Sequence, residues 1–142
     1  MPLSNLANEW SLLQNQFDSY EKFSLQIKLF AIGLLSIGYF TNNLGIFVFS
    51  LLLILWLQDA IWKTFQSRID TRLLQIEQIL SVSDNAQNID SEAYLFNSQF
   101  LKSRPSNMAL IKVYLRQAVK PTVAYPHAVL VLLLCFNLSV QV

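Results

Sequence analysis

His127 is the one histidine in this 142-residue chain, and it follows Pro126 at the head of an apolar run. A catalytic histidine needs a nucleophile or an acid beside it. A metal-bound one needs further ligands, and no Cys or Glu stands at ligand spacing from His127. The ordinary role at such a position is a hydrogen bond to a lipid headgroup or to backbone. Cys135 is the only cysteine, so it forms no internal disulfide, and in apolar surroundings it acts as a small inert hydrophobe. Asp84, Asp90 and Glu92 gather in "SVSDNAQNIDSEA", but a calcium loop needs a glycine turn and this stretch has no glycine. Gly33, Gly38 and Gly45, the only glycines, make no phosphate loop. "NLS" at Asn137 has the form of a glycosylation acceptor but falls inside apolar sequence. The residues point to no catalytic group, metal, cofactor or small-molecule substrate, and the expected class is non-enzymatic.

Composition explains why so little polar chemistry is on offer. Hydrophobic residues make up 54% of the chain and charged residues 13%, about half the charge of an average soluble domain. Mean hydropathy is +0.40. The net charge of +1 points to neither a nucleic acid nor an acidic partner. The N-terminus lacks the basic start of a signal peptide, so the first apolar segment is expected to remain as an anchor.

Three segments are apolar enough to span a bilayer. Residues 23–40 and 44–62 form the first two, joined by the short polar turn "TNN", so they should make an antiparallel transmembrane hairpin. Residues 122–142 are the probable third; the competing reading there is a buried helix of a soluble domain. The expected fold is an all-α integral membrane protein in a single membrane domain. Eight Lys and Arg lie between the second and third segments, while the turn has none. Positive-inside bias then places the N-terminus and the long central segment in the cytoplasm.

"WLQDAIWKTFQSRIDTRLLQIEQIL" continues the second span without a Gly or Pro. Phe65, Ile69, Leu73, Ile76 and Leu80 make an apolar stripe at helical spacing across residues 63–80. Leu6, Trp10, Leu13, Phe17 and Tyr20 make a heptad-like stripe in the N-terminal cytoplasmic helix, residues 1–22. The two stripes predict a helical, coiled-coil stalk above the hairpin; the alternative lays each helix flat on the membrane. Beyond it, residues 81–105 read as a polar loop with a short helix capped by Asp90 or Ser91. Residues 106–120 read as a basic amphipathic helix. Lys112, Arg116 and Lys120 form its basic stripe, and Met108, Ile111, Leu115, Ala118 and Val119 its apolar face. That pattern suits contact with anionic lipid headgroups, or an ordinary docked helix with a solvated side.

Lys28 and Asp59 are the two charges within the hairpin segments. Counted from the turn, their depths differ by about 3 Å. They are expected to form an interhelical ion pair that sets the register; the alternative is that each snorkels to water. In architecture alone, a membrane hairpin with long cytoplasmic helices resembles the SLATT-type two-span proteins of bacterial defence systems. No motif carries that resemblance, and a third span departs from it.

The expectation is a small bacterial inner-membrane protein, multi-pass with its N-terminus cytoplasmic. It would act by association, as an accessory, scaffold or structural subunit of a larger assembly. Its partners would be membrane lipid and another membrane protein or a second copy of itself. The runner-up is a homo-oligomeric membrane-active effector or channel.

Overall fold

The computed structural model describes residues 5–82 and 106–140. The described residues form four helices: α1 (Asn5–Phe40), α2 (Ile46–Val82), α3 (Asn107–Ala118) and α4 (Pro121–Val140). Helices α1, α2 and α4 are long and apolar enough to cross a membrane. The polar loop, apart from Ser81 and Val82 at the end of α2, and its short helix lie outside the described residues.

No break separates the N-terminal helix from the first apolar segment. α1 runs through both for 36 residues, and α2 runs for 37. At 1.5 Å per residue each is about 55 Å long, nearly twice a ~30 Å bilayer core. The turn between them follows from chain chemistry. Asn42 adopts φ 51°, a left-handed conformation that Asn tolerates. Asn43 N donates to Gly38 O at 2.9 Å and Asn42 N to Tyr39 O at 3.2 Å, which is the Schellman closure of a helix C-terminus. Gly38 contributes to the close fit at this end. A Cβ there would stand 2.8 Å from Leu44 Cδ2, so its absence lets the start of the next segment close in.

The two long helices lie side by side in opposite directions. Ser24 meets Asp59, and seven residues away on each helix Phe17 meets Gln66. Further out, Glu9 meets Arg72. Leu6, Leu13, Ile69, Leu73 and Ile76 are buried in one cluster, with Trp10, Phe17, Tyr20 and Ile79 packed on it. Two residues of the expected stripe fall outside it. Leu80 is 38% exposed and Ile79 takes its place; Phe65 is 37% exposed and turns to Trp62 and Arg68. A helix advances 100° per residue, so a spacing-based stripe drifts off the seam at its ends. The seam also holds a buried ion pair, Arg72 Nε to Glu9 Oε1 at 3.0 Å and Nη2 to Oε2 at 3.2 Å.

α3 docks on α2 through Leu110, Tyr114, Gln117 and Ala118, its half-buried side. Of the expected apolar face, only Ala118 lies on that side. Met108, Ile111, Leu115 and Val119 are all more than half exposed. The helix therefore carries a second apolar stripe, turned outward beside Lys112, Arg116 and Lys120. It ends at Ala118, two residues short of the expected boundary. Lys120 O then accepts from Val123 N and Ala124 N to start α4, with Pro121 in the first turn. Tyr125 is non-helical (ψ 129°) because it precedes Pro126, and it kinks α4. Below the kink, Leu130 and Leu134 pack with Ala31, Val48 and Leu52.

A buried Leu-sized side chain contributes roughly 1.5–3 kcal/mol. Ile69→Asp with Leu73→Asp should therefore open the seam and make both arms cleavable under limited proteolysis. Phe65→Ser and Leu80→Ser should change the cleavage rate little. Equal sensitivity in the two pairs would contradict this packing.

Candidate functional site

The polar chemistry of the described residues concentrates where α1, α2 and α4 meet. Asp59 is fully buried. A buried carboxylate must be met by donors or it costs several kcal/mol. Three side chains from two other helices meet this one. Ser24 Oγ of α1 donates to Oδ1. His127 Nε2 of α4 lies 3.3 Å from Oδ2. Lys28 Nζ of α1 lies 3.7 Å from the same oxygen. Ser24 and Lys28 are one helical turn apart, so a single face of α1 presents both.

The structure thus brings the expected Lys28 and Asp59 together, but Lys28 has a second task. Its Nζ donates to Thr122 O at 2.8 Å. In an unbroken helix that carbonyl would accept from the N–H four residues on, at position 126. Pro126 has no N–H, and the lysine supplies the missing donor. Trp56 does the same for α3: its Nε1 donates to Ala118 O at 3.1 Å, one of the carbonyls a helix end leaves open. Gln117 Nε2 reaches back to Lys63 O at 3.3 Å. The α3–α4 junction is bolted to the long helices at the level of Asp59.

His127 departs from its expected role. It is 1% exposed, held against Asp59 and stacked on the Trp56 ring at 6.2 Å and 12°, away from any headgroup. A carboxylate only accepts, so the bonding tautomer carries its proton on Nε2. Nδ1 is buried with no partner among the described residues. Sequence carried a signal for this contact. His127 is the only Asp, Glu, His, Lys or Arg of the third span, and such residues take a partner. Glu9 and Arg72 carried one too, each standing three or four residues from stripe positions on the same face.

The order of contacts decides what the cluster can do. A Ser-His-Asp relay places the histidine between hydroxyl and carboxylate, to take the hydroxyl proton. Here the carboxylate is in the middle, with Ser24 bonded to one oxygen and His127 facing the other, so the three are not ordered as that relay. One carboxylate against one ammonium balances charge, with a hydroxyl and an imidazole completing the carboxylate's shell. The arrangement can tie three helices together. The described residues contain no group of three His, Cys, Asp or Glu placed to hold a metal ion.

Searches against family models, curated proteins and solved structures found no match. The remaining expected site residues are spread out. Lys112 and Arg116 on α3 and Lys120 just past its end are all exposed, and Cys135 is exposed on α4.

Asp59→Ala strands three donors, so it should cost about 3–5 kcal/mol in denaturation from detergent. Lys28→Gln should cost less, because its side chain is 18% exposed and Gln still offers an N–H. Charge reversal at either site should be worse, and Lys28→Asp with Asp59→Lys should recover only part of the loss, since Ser24 and His127 were set to face a carboxylate. Equal losses for Asp59→Ala and Lys28→Gln would show that the ion pair alone carries the junction.

Proposed function

We propose that the protein is a small bacterial inner-membrane protein that works by association, as an accessory, scaffold or structural subunit of a larger membrane assembly. It is not an enzyme on this reading. The observation that carries it is the use made of the buried polar groups. Asp59, Lys28, Ser24 and His127 are spent on joining helices. What remains outward on the spanning segments is mostly apolar, including Phe30, Ile37, Phe40, Phe47, Ile54 and Phe136. Those faces suit lipid and the helices of a partner.

The proposed topology puts the turn at Asn42 outside, and the N-terminus with the region between α2 and α3 in the cytoplasm. The Lys and Arg distribution supports this orientation. The excess length of α1 and α2 over a bilayer core supports a hairpin that continues into a cytoplasmic stalk. The stalk, its seam closed by Ile69, Leu73 and the Glu9–Arg72 pair, then stands in water and offers its outer faces to a partner. Lys112, Arg116 and Lys120, beside the outward stripe of α3, face anionic headgroups.

Two measurements test this. In a Cys135→Ser background, Asn42→Cys should react with an impermeant thiol reagent in intact cells and Gln78→Cys should not. The opposite pattern would invert the topology. Native mass spectrometry of the tagged protein, extracted gently from its own membrane, should find a stable heteromeric complex. A closed homo-oligomer that conducts ions in liposomes would instead assign a channel-forming effector.

A further inference from the structure

Beside the Asp59 cluster, at the level where α1 passes from polar to apolar sequence, lies an open groove of about 480 Å³. Asp18, Glu21, Lys22, Leu25 and Lys28 of α1 line it, with Lys63 of α2. We propose that this groove binds the headgroup of an aminophospholipid, phosphate and primary amine together. The proposal rests on the membrane orientation given above.

Charge makes the first part of the case. Lys28 is already committed to Asp59 and Thr122 O. That leaves Lys22 and Lys63 against Asp18 and Glu21, two ammonium groups and two carboxylates. A groove built for an anionic lipid would keep a positive excess. One with both signs in equal number suits a zwitterion. Lys63 Nζ donates to Gln66 Oε1 at 2.7 Å and an ammonium has three donors, so it has capacity for phosphate oxygen. Asp18 Oδ1 accepts from Gln14, and a carboxylate has further lone pairs for an amine.

Order along the helix makes the second part. Asp18 stands about 6 Å above Lys22 and Leu25 about 4.5 Å below it, at 1.5 Å per residue. Going outward from the bilayer along α1, the groove offers the exposed apolar Leu25, then the Lys22 ammonium, then the carboxylates of Glu21 and Asp18, with Lys63 of α2 facing them. An inner-leaflet aminophospholipid presents acyl chain, phosphate and amine in that sequence. The Tyr20–Trp62 and Phe23–Trp62 ring contacts, 5.1 and 5.5 Å between centroids, stand at the same depth, where amphipathic aromatics mark an interface. A primary amine donates N–H to the carboxylates; a quaternary one has none to give. The groove should therefore prefer ethanolamine over choline headgroups.

The test is native mass spectrometry of the full chain released from nanodiscs holding equal phosphatidylethanolamine, phosphatidylglycerol and phosphatidylcholine. Ethanolamine lipid should be retained about tenfold over each of the others, the size expected of a charge-assisted hydrogen bond. Lys22→Gln with Lys63→Gln should remove that retention. Asp18→Asn with Glu21→Gln should erase the preference over choline lipid. All four side chains sit at the groove's rim, so the variants should stay folded, which circular dichroism checks. Lys112→Gln, Arg116→Gln and Lys120→Gln together should leave retention unchanged. Phosphatidylglycerol retained as well as the ethanolamine lipid, or retention indifferent to Lys22 and Lys63, would overturn the proposal. Thiol labelling reads the topology separately, so an error there and an error in the groove are told apart.

Discussion

A carboxylate withdrawn from water must be surrounded by donors, and Asp59 imposes that demand on the whole chain. It belongs to α2, the longest of the described helices, two residues past the apolar run that ends at Leu57. An uncompensated charge deep in a bilayer costs about 2.5–3.5 kcal/mol on insertion scales and less toward the interface. Ser24 and Lys28 from α1 and His127 from α4 meet the demand together. Because they come from different helices, satisfying one side chain fixes two helix–helix relationships. Leu130 and Leu134 then fall against Ala31, Val48 and Leu52, and that apolar contact adds energy to an arrangement the polar contacts select.

Backbone chemistry draws on the same residues. Pro126 withholds a donor from Thr122, and α3 leaves Ala118 O open at its end. Lys28 and Trp56 answer these two needs. The interruption between α3 and α4 is therefore a place where long side chains of α1 and α2 gain hold on the chain. The bundle below depends on it, and so does the seam above, where Gln66 Nε2 donates to Phe17 O and Glu9 pairs with Arg72. These polar contacts suit a register device, since a one-turn slip along the seam would leave each of them without a partner.

Much of this was legible in the sequence, for definite reasons. Apolar runs and the short polar turn "TNN" are local, so the three span-length helices and the antiparallel pairing of the first two could be read directly. Counting from the turn brought Lys28 opposite Asp59, because antiparallel helices convert sequence distance into depth. His127 escaped because its direction depends on the kink at Tyr125, which counting does not give. On α3, periodicity identified an apolar face without saying what covers it. Its stripe of Met108, Ile111, Leu115 and Val119 faces outward, while Leu110, Tyr114 and Gln117 take the docked side. Glu9 and Arg72 were hidden by type: charged residues on an apolar stripe look like breaks in it until they are seen to answer one another.

The central claim is that Asp59 is held by a side chain from the third span. The single histidine makes this directly measurable. With ¹⁵N in histidine and ¹³C in aspartate carboxyls, rotational-echo double resonance in native lipid reports only couplings to His127. The account predicts dephasing of Nε2, set by its 3.3 Å approach to Asp59 Oδ2, and its loss in Asp59→Asn. A histidine signal with no aspartate coupling in the folded protein would contradict it.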